Sequence, residues 1–184
     1  MRGVRMQLHW HDNPQYRFAA KPDLARDAML QRNVSRLADY GWLFELQVFA
    51  EQMQGAAELA ASAPKVTFVL QHAGMLEDLS AEGWARWRNG MQRLAACANV
   101  MAKLSGLGTF LHRNDAAHIA TVLSDTIKMF GPSRCLFGSN FPIEKLWTSY
   151  EDLVAAYRSA IEPLGNEAAR AVLHDNAARI YRLG

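Results

Sequence analysis

The sequence predicts an α/β fold built on a parallel sheet, and three observations carry that prediction. Five short apolar runs read as strands: Val4–His11, Leu43–Phe49, Val66–His72, Asn99–Ser105 and Cys135–Asn140. Helical patterns fill the intervals between them, at spacings of about 23 to 39 residues, the signature of right-handed βαβ units. Polar residues gather where the runs end. A doubly wound sheet and a (β/α)8 barrel both accommodate this pattern, and strand C-termini are where barrel active sites sit.

The chain has 184 residues, enough for one domain with a sizeable core. Its formal charge is +2, and Lys and Arg are scattered, so no nucleic-acid stripe is expected. No apolar run approaches the roughly 20 residues of a membrane span. Cys97 and Cys135 lack metal-ligand spacing, and a reduced, cytoplasmic setting with two buried thiols is expected.

Each element has a local cause. Val4, Met6, Leu8 and Trp10 alternate with Arg5, Gln7, His9 and His11, giving a strand with an apolar and a polar face. Asp12–Gln15 turns the chain. Asp23 is a candidate cap for a helix whose stripe stops at Gly41. In the second strand Glu45 and Gln47 share one face, opposite Phe44, Leu46 and Val48. The alanine-rich stretch from Glu51 to Ser62 is helical and ends before Pro64. Val66–His72 is apolar on both faces, as in a strand covered by helices. Ser80 caps a helix over Ala81–Ala98 with Trp84, Trp87, Met91 and Leu94 on one stripe. Asn114 or Asp115 caps the next helix, and Gly131–Pro132 ends it. Thr148 or Ser149 caps a helix through Ile161. A last helical segment covers Asn166–Leu183, with a break near His174 and Asp175.

Candidate chemistry sits at the strand tips. His72 ends a buried strand, and Gly74 lets the backbone turn so that the imidazole faces a cavity. A neutral imidazole ligates metal or acts as a base near neutral pH. The ordinary alternative is a histidine hydrogen-bonded in the core. His9 and His11 are spaced to share a strand face, as a metal pair requires, or they are simply two polar lumen residues. Asn140 stands where a carboxylate often stands. It either orients substrate or serves as a structural amide in the Phe-Pro turn. Arg5, Gln47, Lys103 and Ser105 point the same way as the tips. Arg5 or Lys103 could hold a substrate carboxylate, or be neutralised by Glu45, the only acid within a strand. There is no Gly-rich phosphate loop.

Several phrases together resemble one family, the amidohydrolase-2 group of predicted metal-dependent hydrolases with a (β/α)8 barrel, which includes lactonases. They are RGVR at Arg2–Arg5 with LHWH at Leu8–His11, FELQ at Phe44–Gln47, VLQHAG at Val69–Gly74, NVMAKLSG at Asn99–Gly106, RCLFGSNFP at Arg134–Pro142 and DNAARIY at Asp175–Tyr181. The resemblance runs through nearly the whole chain. It implies strands four to eight of the barrel, a partial TIM-barrel-like fold in one incomplete domain, residues 1–184. It matches His72 to the family's sixth-strand histidine and places Asn140 where many members carry an Asp.

The resemblance implies a hydrolase of a lactone or related cyclic ester of a small carboxylic or sugar acid. His72 would bind a divalent metal such as zinc or polarise the carbonyl, and Asn140 would position water or substrate. Arg5, Gln47 and Ser105 would hold substrate polar groups, with Trp10 and His11 near the rim. Asn140 leaves a metal-independent route open. The family's first-strand His-x-His is absent, so the chain is expected to be a fragment, a truncated product, or a half completed by a missing N-terminal part or a second copy. Two rivals remain: a catalytically dead remnant acting as a binding or structural subunit, and a decarboxylase of the same superfamily.

Overall fold

The computed structural model describes residues 1–183. Strand and helix alternate through five strands with helices between them. Contacts gather into two compact units, Met1–Met101 and Ala102–Gly184. Among the described residues, no helix is long and apolar enough to cross a membrane.

In the first unit, β1 (Gly3–Gln7), β2 (Leu43–Gln47) and β3 (Phe68–Leu70) run parallel in that order. All three strands stop short of the runs that predict them. The cause is visible at β1 and β2. Leu8 N–H still bonds to the Gln47 carbonyl at 2.9 Å. Beyond it, Trp10 N–H and Phe49 N–H both donate to Gln52 Oε1, at 3.3 and 3.2 Å. One carboxamide thus takes over the ladder, and both strands end. β1 is also more open than its alternation predicts: Val4 and Met6 are 38% and 37% exposed, and β1 has one strand neighbour in this unit.

The helices follow their caps. Asp27, not Asp23, caps α1 (Ala28–Ser35), its Oδ1 accepting Met29 N–H at 3.0 Å and Leu30 N–H at 3.2 Å. The segment that Asp23 introduces, Leu24–Arg26, is only a 3-10 turn. Gly41 ends the region at a φ of 61°. α2 (Met53–Ser62) packs on α3 (Ala81–Ala95), which Ser80 caps by accepting Gly83 N–H at 3.0 Å. Trp87, Met91 and Leu94 are fully buried, as the stripe predicts. Asn99 Nδ2 reaches the carbonyls of Ala60, Ala63 and Val66 at 3.0 to 3.1 Å, fixing the loop ahead of β3.

β4 (Val100–Leu104) contains the boundary between the units. In the second unit its residues Ala102–Leu104 pair in parallel with β5 (Cys135–Phe137). Asp115 caps α4 (Ala116–Phe130) through His118 N–H, and Ser149 caps α5 (Tyr150–Ile161) through Asp152 N–H, each at 3.0 Å. The expected break in the last segment is a π-turn over Ala171–Asp175, between α6 (Asn166–Arg170) and α7 (Asn176–Tyr181). Buried Asn176 donates to the Pro132 and Cys135 carbonyls, both at 2.7 Å, and holds α7 against β5.

Candidate active site

The C-terminal ends of β1, β2 and β3 open onto a cleft of about 730 Å³ within the first unit, a size suited to a small ligand. Trp10 and His11 follow β1, Gln52 follows β2, and Glu77 follows β3; all four line the cleft. The Arg17 guanidinium lies 4.7 Å from the Trp10 ring centre. His11 Nδ1 accepts Asn13 N–H at 2.9 Å, so the neutral ring carries its proton on Nε2. Its edge contacts to Tyr16 and Phe49, each with ring centres 5.5 Å apart, fix the ring plane.

Glu77 is half-buried in this wall, and burial pushes its carboxyl above the ordinary range. Its own backbone N–H and the Arg86 charge oppose that shift, while Asp78 adds to it. Arg86 is already engaged, with Asp78 at 2.6 Å and Glu51 at 3.1 Å. His9 does not join His11 as a second open ring. It is 4% exposed, packed between Phe18 and Phe49, and its Nδ1 has no hydrogen-bond partner. Desolvation holds its pKa below the usual imidazole value.

His72 is delivered by an unusual backbone. His72, Ala73, Gly74 and Met75 take φ values of 54°, 47°, 75° and 48° in succession, a left-handed turn closed by Met75 N–H to the His72 carbonyl at 2.9 Å. For residues with a Cβ this region costs roughly 1–2 kcal/mol each, and such strain collects at functional sites. Trp87 Nε1 donates to the Ala73 carbonyl at 2.8 Å from the buried side and holds the turn. Gln47 lies beneath, its amide directed to Met75 Sδ at 3.3 Å. Arg5 is engaged by Glu45 in an ion pair and by Gln71 Oε1 at 2.9 Å, the neutralised arrangement.

The second unit holds Lys103, whose Nζ lies 5.8 Å from the Tyr181 ring centre, with Ser105 and Asn140. Ser105, directly after β4, is 1% exposed. Asn140 has a φ of 56° and donates from Nδ2 to Glu144 Oε1 at 3.3 Å. Glu144 is 1% exposed, and it also accepts Thr109 Oγ1 at 3.2 Å and Trp147 Nε1 at 2.6 Å. Gly108 makes room for it: a Cβ there would lie 2.6 Å from Glu144 Oε2. Tyr157 nearby has its phenol pushed well above the ordinary value by complete burial, with the Glu144 charge adding to the effect.

Sequence reasoning missed Gln52, Glu77 and Glu144. Only Glu77 carried a signal, as an acid a few residues beyond a strand tip. Among the described residues, no three His, Cys, Asp or Glu side chains converge as a zinc site requires. The donor set of the described residues therefore does not form a closed metal site around His72.

Comparison with known proteins supplies the lineage. The chain is 32% identical over 182 residues to the uncharacterized protein y4mH of Sinorhizobium fredii, covering 99% of this chain and 61% of that one. It is 34% identical over 168 residues to an L-fucono-1,5-lactonase of Burkholderia multivorans, covering 85% and 57%. The crystal structure of an amidohydrolase from Burkholderia multivorans with bound HEPES superposes with a TM-score of 0.86 at 29% identity, over 100% of this chain and 66% of that one. A structure from the same organism with bound zinc gives the same TM-score and identity. The chain thus spans about three fifths of the length of the curated relatives it matches. The amidohydrolase family of the Amidohydro_2 type matches residues 1–183, and the chain belongs to it.

Proposed function

We propose that this chain carries part of the active site of a hydrolase acting on a lactone, or related cyclic ester, of a small carboxylic or sugar acid. The observation that carries the reading is the cleft at the ends of β1–β3, whose wall offers a donor from His11 and a half-buried acid, Glu77. Ester hydrolysis needs an electrophilic group on the carbonyl oxygen and a base for water. His11 Nε2–H supplies the first kind of group. His72 does not line this cleft; on its left-handed turn at the end of β3 it is the candidate for the second. Trp10 offers an apolar face to a ring. Arg5 and Gln47 are assigned to steadying the strand tips. The likeness to an L-fucono-1,5-lactonase supports the substrate class.

A second reading, a binding subunit without turnover, is favoured by one observation: the Asn140 amide is committed to Glu144. The test is a panel of small lactones that includes a six-membered sugar lactone, assayed by proton release with and without added zinc or manganese. Turnover that falls at least about a hundredfold in His72→Ala, with the fold retained, is the expected result. No hydrolysis of any lactone under any metal condition would sink the hydrolase reading and leave the binding subunit.

A further inference from the structure

Gln52 connects the fold to ligand choice. Its side chain is buried, at 5% exposure, and lines the cleft. Its Oε1 takes two backbone N–H groups, from Trp10 and Phe49. That pairing fixes the orientation of the amide, with oxygen toward the backbone and Nε2 turned away from it. Among the described residues nothing accepts from Nε2. Two donors, Gln52 Nε2–H and His11 Nε2–H, therefore stand ready on one wall, each set by a backbone bond on its far atom.

The charge of that wall is one-sided. The lining carries five acids, Asp12, Asp23, Glu51, Glu77 and Asp78, and one guanidinium, Arg86, which Glu51 and Asp78 already bind; Asp23 lies 3.6 Å from Arg26, and the Arg17 guanidinium packs on Trp10. Glu77 has no ion pair or hydrogen bond with another described residue. A ligand oxygen that accepts hydrogen bonds is welcome here, and a ligand carboxylate is repelled by fixed like charges in a confined space. Lactone hydrolysis changes that property. Water adds to the ring carbonyl, the ring C–O bond breaks, and the acid formed sheds its proton to become a hydroxy carboxylate.

Resting on the hydrolase reading above, we propose that this cleft selects the uncharged, oxygen-rich ring over the carboxylate its hydrolysis releases, with the Gln52 carboxamide as the specificity-determining group. The carboxylates on the wall act as a charge filter that favours substrate entry and product release.

The test uses two probes that do not turn over, a neutral aldono-1,5-lactam and the matching aldonate. Both are titrated into the intact protein at pH 7.5 and low salt, with calorimetry or ligand-observed NMR as the readout. The lactam is expected to bind at least about tenfold more tightly than the aldonate. Raising salt to 0.5 M, or making Asp78→Asn, is expected to narrow that ratio by strengthening aldonate binding. Gln52→Glu keeps an acceptor for both backbone N–H groups but removes the amide donors. It is expected to weaken the lactam at least about tenfold while the melting temperature stays within a few degrees. A second variant, Glu77→Gln, is expected to strengthen the aldonate and leave the lactam near its original affinity. Equal or tighter aldonate binding, no binding of either probe, or a Gln52→Glu protein that binds lactam normally would each overturn the proposal. The two readings fail separately. Lactam selectivity lost in Gln52→Glu, without turnover of any lactone, removes the hydrolase and leaves only the ligand selectivity of the cleft. Turnover without selectivity removes this inference alone.

Discussion

Gly74→Ala tests whether the left-handed turn behind His72 depends on its glycine. Gly74 has a φ of +75°, and a Cβ there would come within 2.1 Å of Met53 Cε and 3.2 Å of Met91 Sδ. The conformational part costs about 1–2 kcal/mol for an L-residue in this region. The steric part falls at the low end of the overpacking range, about 1 kcal/mol, because the nearest atom is the swinging end of a methionine. Stiffening the unfolded chain offsets about 0.4–1 kcal/mol. The net expectation is a loss of about 2 kcal/mol, or a drop in Tm of roughly 4–8 °C for a chain of this size. Urea unfolding followed by far-ultraviolet circular dichroism measures it. Repeating Gly74→Ala in a Met53→Leu background removes the clashing methyl and should recover about 1 kcal/mol, a coupling well above the additivity error. A loss below about 0.5 kcal/mol, or no coupling to Met53, would refute the account of this turn.

Two further outcomes follow from buried polar groups. His9 is held neutral in the folded protein, with its pKa below the ordinary 6.5, so the unfolded chain binds its proton first as pH falls. Stability is therefore complete above about pH 6.5 and declines below it until the folded pKa is reached; in His9→Phe the slope of urea stability between pH 7.5 and 5.5 should be shallower, with His118, also depressed by burial, supplying what remains. Glu144→Ala removes the acceptor of Thr109, Asn140 and Trp147 together and should cost about 2–4 kcal/mol, visible as a lowered urea midpoint, whereas an unchanged midpoint would mean that water replaces the carboxylate.

The order of elements was legible because period-two and period-3.6 patterns survive in single segments: the Trp87, Met91, Leu94 stripe is buried, and Ser80, Asp115 and Ser149 all cap as their positions suggest. Strand ends were less legible. His9 and His11 continue the alternation of β1 perfectly, yet the ladder has stopped before them, because the group that stops it lies about 40 residues away. The sequence pattern offers Asp23 as the cap and passes over Asp27. Only the backbone around Leu24–Arg26, a 3-10 turn, decides for Asp27. At the tips, the pattern put His72 at a strand end but did not give its left-handed turn, since residues with a Cβ seldom adopt that conformation. It also gave no reason to suspect Glu144, which owes its burial to the space above Gly108.

Gln52 shows why such residues escape a reading by segment. A carboxamide just ahead of a helix usually faces solvent, and nothing in its neighbours marks it. Its role arises from two strands at once: each must end, and each leaves an N–H that β2 or β1 no longer satisfies. A single oxygen that accepts both ends the strands side by side and in register, which brings Trp10 and His11 to the rim together. The same bonds leave the amide nitrogen no protein partner, so the group that terminates the sheet is also turned toward the cleft. Termination and recognition are here two ends of one side chain. A glutamate in that place would still end the strands but would reverse what the cleft offers a ligand.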